Sequence, residues 1–508
     1  MTPLPRPNSR HRVLSFVFPP CCRSSFAWFL ALLPALLAAA SCTFAAPAVK
    51  PQTHRYAVLM LGSKVGTQTL RLQPITYQGR KAVKVISATD IKMQALTEVQ
   101  QQIRASEVIT LTGQPLRLDM QMTSTGRNVF IRAFFYPNRV ACTHSAGGKR
   151  TRKVVRIPRG ITLTEDPSLT GGAGSAADIE VGQKMTQHFF EPLTMSIQKF
   201  EMEVLRREGL RVGEESVDTF VLQVANQMLG EMRTWITPAG EFLKMESPLG
   251  LSLVREDLVG PEIAYTPPAD FAVATSIRTE RKITLPRQTR SLRVRFQGIP
   301  ERRLVLTDGR QRAQLESAGD SLVVTYDIQA TDPPTRGAPA ATRRNDNPAL
   351  ADATYLNLTD PEIRRRAAQV AGAGTDRAAI ARRIRAWVYA HMRRPSNVAV
   401  PRSAVEIMKS REGVCRDYAT LFTALARAAG VPTRAVSGII YAQEGFFYHA
   451  WVECQIGPGE NDWVPYDPTL PTDLVDATHI KFAEGNVEDM FRAVRLVGQL
   501  KAEILEVK

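Results

Sequence analysis

Apolar residues recur at two different periods along the chain, and the change from one to the other divides it. From residue 54 to about residue 270 the apolar positions come in short runs such as 54–62, 81–86, 128–136 and 153–157. These runs are rich in β-branched and aromatic residues and are broken by turn residues, the pattern of antiparallel strands. Further runs follow at 200–205, 219–224 and 232–236. Thr237-Pro-Ala-Gly240 then predicts a hairpin turn into a strand at 241–245. The Gly/Ala/Ser stretch 171–177 predicts a flexible loop. A second β segment covers 281–330, and 331–348 is rich in Pro, Ala, Arg and Asn without periodicity, as linkers are.

From Tyr355 the period becomes helical. Asp360-Pro-Glu362 supplies an N-cap and a proline in the first turn, and Thr375-Asp376 starts a second helix with Ile380, Ile384, Trp387 and His391 on one stripe. Ser403-Ala-Val-Glu406 is a capping box for a short helix. That helix feeds Glu412-Gly-Val-Cys415, after which Tyr418, Leu421, Phe422, Leu425 and Ala429 share one helical face until Gly430 and Pro432 stop it. Period two returns at 431–441 and 446–456, and a last strand at 462–467 ends in Pro468-Thr469. The predicted architecture is multidomain, with antiparallel β-rich domains followed by an α+β domain. Its divisions are a presequence at 1–46, a β-rich domain at 47–275, a small β domain at 276–335, a linker at 336–352 and a final domain at 353–508.

The N-terminus changes where this protein is expected to act. Residues 1–25 carry four arginines and no acidic residue, 26–40 are an apolar run, and small residues follow through Ala48. That order is a secretory signal peptide, and the run is short for a spanning helix, which needs about 20 residues. An uncleaved anchor or a lipid on Cys42 are the rival readings. Export to the periplasm or beyond is the expectation, with membrane attachment only through that N-terminus. The net charge of +16 reads first as a solvated basic face, then as attraction to an anionic cell envelope or an acidic substrate, and last as nucleic-acid binding. Cys21, Cys22 and Cys42 lie in the presequence, so Cys142, Cys415 and Cys454 remain and at least one thiol is free. With no CxxC pair, no metal or other cofactor is expected. The isolated His144 and His188 read as structural.

Cys415 opens a helix, where unpaired N–H groups and the helix dipole favour thiolate. On the 446–456 strand Phe447, His449, Trp451, Glu453 and Gln455 share one face, while Cys454 points the other way. Asp467 ends the next strand, and hairpin pairing would set it beside His449. Nucleophile, base and orienting carboxylate thus occur in order. Trp387, Tyr389 and Trp451 are the candidates for lining a substrate cleft.

The segments Gly413-Val-Cys-Arg-Asp-Tyr-Ala-Thr-Leu421, Gly430-Val-Pro-Thr-Arg434, His449-Ala-Trp-Val-Glu453 and Trp463-Val-Pro-Tyr-Asp-Pro-Thr469 resemble the bacterial exported members of the transglutaminase-like superfamily. The resemblance spans 355–480 and implies a papain-like core with a Cys-His-Asp triad at Cys415, His449 and Asp467. It differs from animal transglutaminases in carrying Arg416 where those have tryptophan, and in lacking an acidic loop of the calcium-binding kind. The expected activity is thiol-dependent acyl transfer on peptide or protein amides, as peptidase, amidase or transamidase. The alternative is a non-catalytic envelope scaffold that keeps the fold.

Overall fold

The computed structural model describes residues 51–508 apart from 165–178, 260–273, 342–346, 394–401 and isolated positions of one to three residues. The presequence and the stretch 171–177 lie outside the described residues.

Fourteen strands, from β1 (Gln52–Met60) to β14 (Leu251–Arg255), form one antiparallel sheet. Within 52–156 and within 184–255 each strand lies beside its sequence neighbour, and β1 pairs with β14, so the region's first and last strands meet near its centre. Period-two burial is plain in β6 (Arg127–Tyr136), where Val129, Ile131 and Ala133 are buried while Phe130 is 48% exposed. Phe135 of β6 meets Phe190 of β9 (Lys184–Glu191) edge to face, with ring centres 5.8 Å apart. These strands stand near opposite ends of the strand order, so the sheet curls upon itself, as right-handed twist requires of a sheet this wide. The predicted hairpin turn is present, with Gly240 N–H donating to the Thr237 carbonyl at 2.7 Å and φ at +83°.

Four helices follow: α1 (Pro361–Ala371), α2 (Arg377–His391), α3 (Ala404–Ser410) and α4 (Cys415–Ala428). Asp360, Asp376 and Ser403 cap the first three through side-chain oxygens, as the sequence leads one to expect. Helix α4 buries the expected apolar face of Tyr418, Leu421, Phe422 and Leu425, and its polar side is covered as well. It is enclosed by α1, α2 and α3 on one side and by β19 (Thr433–Ala442) and β20 (Gly445–Gln455) on the other. Arg427 on its covered side is satisfied internally, donating to the carbonyls of Thr433 and Ala351 and to Asn486 Oδ1.

The sheet beside α4 runs β15 (Ile277–Arg278), β20, β19, β22 (Ile480–Gly485), with β21 (Trp463–Tyr466) also on β20. A third sheet runs β17 (Gln311–Ala318), β18 (Ser321–Gln329), β16 (Ser291–Ile299), β23 (Lys501–Val507). The segment 276–335 is thus not closed on itself: β15 joins the α4-side sheet and the C-terminal β23 completes this one. Packing explains it. Phe296 fills its apolar face against Phe446 at 5.8 Å and Phe482 at 5.9 Å, so the two sheets share one core.

Nor is the expected linker free. Ala338 N–H donates to the Ile456 carbonyl, Ala340 N–H to Thr375 and Ala341 N–H to Gly430. This arm is bonded along the final domain rather than spanning a gap. The fourteen-stranded sheet is also joined to that domain, through Tyr355 Oη to the Leu193 carbonyl at 2.7 Å and Arg127 to Glu406 at 3.2 Å.

Candidate active site

The turn that delivers Cys415 is built around a buried charge pair. Asp417, in the first turn of α4, accepts from Val414 N–H at 3.0 Å and thereby caps the helix from within. Its charged partners are Arg402, at 2.7 Å with the two side chains 1% and 2% exposed, and Arg416 at 3.3 Å. Arg402 also donates to Ser410 Oγ and to the Glu412 carbonyl, so one guanidinium ties the end of α3 to the start of α4. Burial alone would raise the Asp417 pKa, but Arg402 and Arg416 outweigh it and hold the carboxyl below its ordinary value. Gly413 is required by closeness: a Cβ there would lie 2.5 Å from Asp417 Cβ and 2.8 Å from Arg402 Nη2. Cys415 is free and fully buried at the first position of α4, which packs against β20.

β20 and β21 pair antiparallel with Val452 opposite Tyr466, which carries the next residue, Asp467, back along β20 toward His449. His449 Nε2 and Asp467 Oδ2 are 2.8 Å apart and both side chains are buried. Asp467 Oδ1 accepts from the Thr469 backbone N–H at 2.8 Å and its hydroxyl at 2.5 Å, so the Asp-Pro-Thr turn fixes the carboxylate. Burial pushes the Asp467 pKa up, but charge attraction and hydrogen bonding with His449, then His479, carry it far below the carboxylate range. An ionised carboxylate only accepts, so His449 carries its proton on Nε2 and presents Nδ1 as the basic nitrogen.

The sequence reading did not single out His479. It approaches the same Asp467 Oδ2 at 3.2 Å, and its Nδ1 lies 3.4 Å from Asp476 Oδ1. The available signal was a second Asp-x-Thr turn, Asp476-Ala-Thr478, nine residues after the first and leading into a histidine before an apolar strand. The rings meet across β19, where Gly438 stands opposite His449. A Cβ on Gly438 would lie 1.9 Å from the Ile480 carbonyl and 2.9 Å from the Trp451 ring. Bare backbone at that point lets Trp451 stand edge-on to His479 at 5.4 Å and nearly parallel to His449 at 6.1 Å.

Trp451 is therefore buried under the histidine pair and presents no surface to a cleft, because it shares a strand face with His449 and that face is covered. Trp387 stacks on His391 at 4.2 Å, with Arg366 over its ring at 5.0 Å, and Tyr389 is half-buried on α2. The contacts of Trp387 account for it as packing of the helical stripe. Cys454 is buried on the face of β20 opposite His449, as alternation predicts. Burial pushes its thiol up to about 12 and that of Cys142 up to about 12, and both are free.

His449, Asp467 and His479 offer one ligand atom each within 4.8 Å of one another, a set that divalent metals also use. Here both ring nitrogens are directed at one carboxylate oxygen, and all three side chains are closed to solvent.

The sequence model of the transglutaminase-like superfamily core matches residues 364–468. An uncharacterised protein of Mycobacterium leprae is 28% identical over 90 residues, which are 16% of this chain and 31% of that protein. The match thus spans less than a third of that relative. Among solved structures, a candidate cysteine protease from Cytophaga hutchinsonii aligns with 44% of this chain and 89% of its own, at 17% identity and a TM-score of 0.31. A β-barrel-like protein of unknown function from Brucella abortus aligns with 40% of this chain and 94% of its own, at 10% identity and a TM-score of 0.31. With helices, strands and motif segments arranged as described, residues 364–468 are a domain of the transglutaminase-like superfamily within a multidomain, β-rich chain.

Proposed function

We propose that the protein is an exported acyl-transfer enzyme acting on peptide or protein amides through a triad of Cys415, His449 and Asp467. The observation that carries this reading is the buried 2.8 Å contact between His449 and Asp467 on the strand against which the Cys415 helix packs. In the reaction His449 Nδ1 takes the Cys415 proton, and the sulfur bonds to the amide carbonyl carbon. Backbone N–H groups at the start of α4 receive the oxyanion. The C–N bond then breaks as the imidazolium gives its proton to the departing amine, leaving a thioester. Water or an amine attacks that thioester, His449 takes the incoming proton, and it returns to the sulfur. Asp467 keeps the ring oriented and balances the imidazolium throughout. Cys415 has no exposed surface, so a substrate reaches it only when neighbouring groups shift. The net charge of +16 suits a substrate held at an anionic envelope.

A mass-spectrometric screen of peptides, with and without added amines, tests the proposal and separates hydrolysis from transamidation. Turnover that disappears in Cys415→Ala is expected. Turnover retained in that variant, at the wild-type rate, contradicts the assignment.

A further inference from the structure

We infer that His479 is a positioning residue for this triad, holding the Asp467 carboxylate against His449, and that the segment 287–311, through the turn before β16 and the loop that leads into β17, fixes His479 in turn. The inference rests on the acyl-transfer reading above and adds to it a fourth residue and a task for the region upstream of the matched domain.

Asp467 Oδ2 is approached by both His449 Nε2 at 2.8 Å and His479 Nε2 at 3.2 Å, while Oδ1 is occupied by Thr469. With Oδ1 tied down, the lateral position of Oδ2 depends on what flanks it, and His479 is the flank opposite His449. His479 is itself held. Asp476 faces its Nδ1 at 3.4 Å, and Asp476 is anchored by Arg287 at 2.8 Å and by Thr478 N–H at 2.8 Å. Burial would raise the Asp476 pKa, but His479 and Arg287 overcome it and keep the group low.

The segment carrying these residues is gripped along its length from upstream. Arg287 donates to Thr478 Oγ1 at 3.0 Å, and Arg310 donates to the carbonyls of His479 at 2.7 Å and Asp476 at 2.8 Å. Gln311 bonds both the Lys481 N–H and carbonyl, each at 2.8 Å, and Asp308 pairs with Lys481 Nζ at 2.7 Å. All four gripping residues lie at 287–311, before the helical domain begins. A surface β module would need none of these bonds, of which the Gln311 pair is buried and those of Arg287, Arg310 and Asp308 are charge-assisted, whereas a brace for one loop needs them at this loop.

The test is the rate of Cys415 alkylation by iodoacetamide in the full chain between about pH 5 and pH 9, a range spanning the reference values of imidazole and thiol. It requires no identified substrate. His479→Leu removes the flank, and His479→Gln restores one N–H donor of similar reach. We expect His479→Leu to slow alkylation at neutral pH about 10- to 100-fold, the usual effect of losing an orienting partner, and to move its pH profile toward that of His449→Ala. His479→Gln should stay close to wild type. Asp476→Asn, which keeps the shape of the turn, should shift the profile the same way by less, and it serves as the test if His479→Leu fails to fold. Profiles identical to wild type in the folded variants overturn the inference. A profile that His449→Ala leaves unchanged overturns the triad itself. One equivalent of zinc in the purified protein, lost in both His479 variants, also overturns the positioning role, because the three groups would then be metal ligands.

Discussion

Removing the Asp417 carboxylate is the most informative perturbation of the nucleophile turn. Asp417→Ala deletes three things together: the acceptor for Val414 N–H, the partner of Arg402 and a contact with Arg416. The Arg402 side chain is 2% exposed, so its charge cannot be rehydrated without opening the turn. Breaking a buried pair from one side costs about 3–5 kcal/mol, and a lost helix cap contributes about 1 kcal/mol of such effects. Arg402 keeps its bonds to Ser410 and the Glu412 carbonyl, which places the expected total near the lower end, about 3 kcal/mol. Asp417→Asn separates the terms, because it keeps the acceptor for Val414 and the volume while removing the charge. Urea unfolding followed by tryptophan fluorescence in a Trp235→Phe background reads the domain, since Trp387, Trp451 and Trp463 all lie in it and Trp235 lies in the large sheet. The expected order of stability is wild type, then Asn, then Ala. A loss under about 1 kcal/mol for Ala, in the range of an exposed pair, would refute the idea that this pair pins the turn.

Other outcomes follow from the same geometry. Gly438→Ala should destabilise the final domain by about 1–3 kcal/mol, as overpacking does, because the Ile480 carbonyl and Trp451 ring occupy the space; an unchanged denaturation midpoint would contradict this. Acid should unfold the domain from about pH 4 downward, near the ordinary carboxylate value. Asp417, Asp467 and Asp476 all have folded pKa values below their unfolded ones. The unfolded chain therefore binds more protons as pH falls, and the stability these groups contribute is present above pH 4 and lost through the folded values. Circular dichroism against pH measures it, and constant stability to pH 2 would exclude it. Cys142→Ser with Cys454→Ser should leave native thiol labelling unchanged, because both thiols have their pKa raised to about 12; a loss of label would contradict it.

Local chemistry made much of the final domain legible. The caps at Asp360, Asp376 and Ser403, the stop at Gly430 and the alternation on β20 are short-range signals, and each appears where the residues place it. His449 beside Asp467 was readable because the hairpin needs only neighbouring strands. His479 was not, because its approach crosses an intervening strand at Gly438 and depends on strand order β20-β19-β22. The covering of the polar side of α4 is not legible in the sequence for a related reason. Its polar side is covered by partners distant in sequence, such as Ala351 and Asn486 on Arg427. The pairing of β16 with the strand at 501–507 is also long-range and leaves no local signal.

Covalent capture at Cys415 tests the central claim most directly. Native protein treated with a thiol-directed acyl probe and measured as intact mass, then by peptide mapping, should carry one label at Cys415. Cys415→Ala should carry none while keeping its circular dichroism spectrum. Equal labelling of wild type and Cys415→Ala would contradict the nucleophile assignment and the enzyme built upon it.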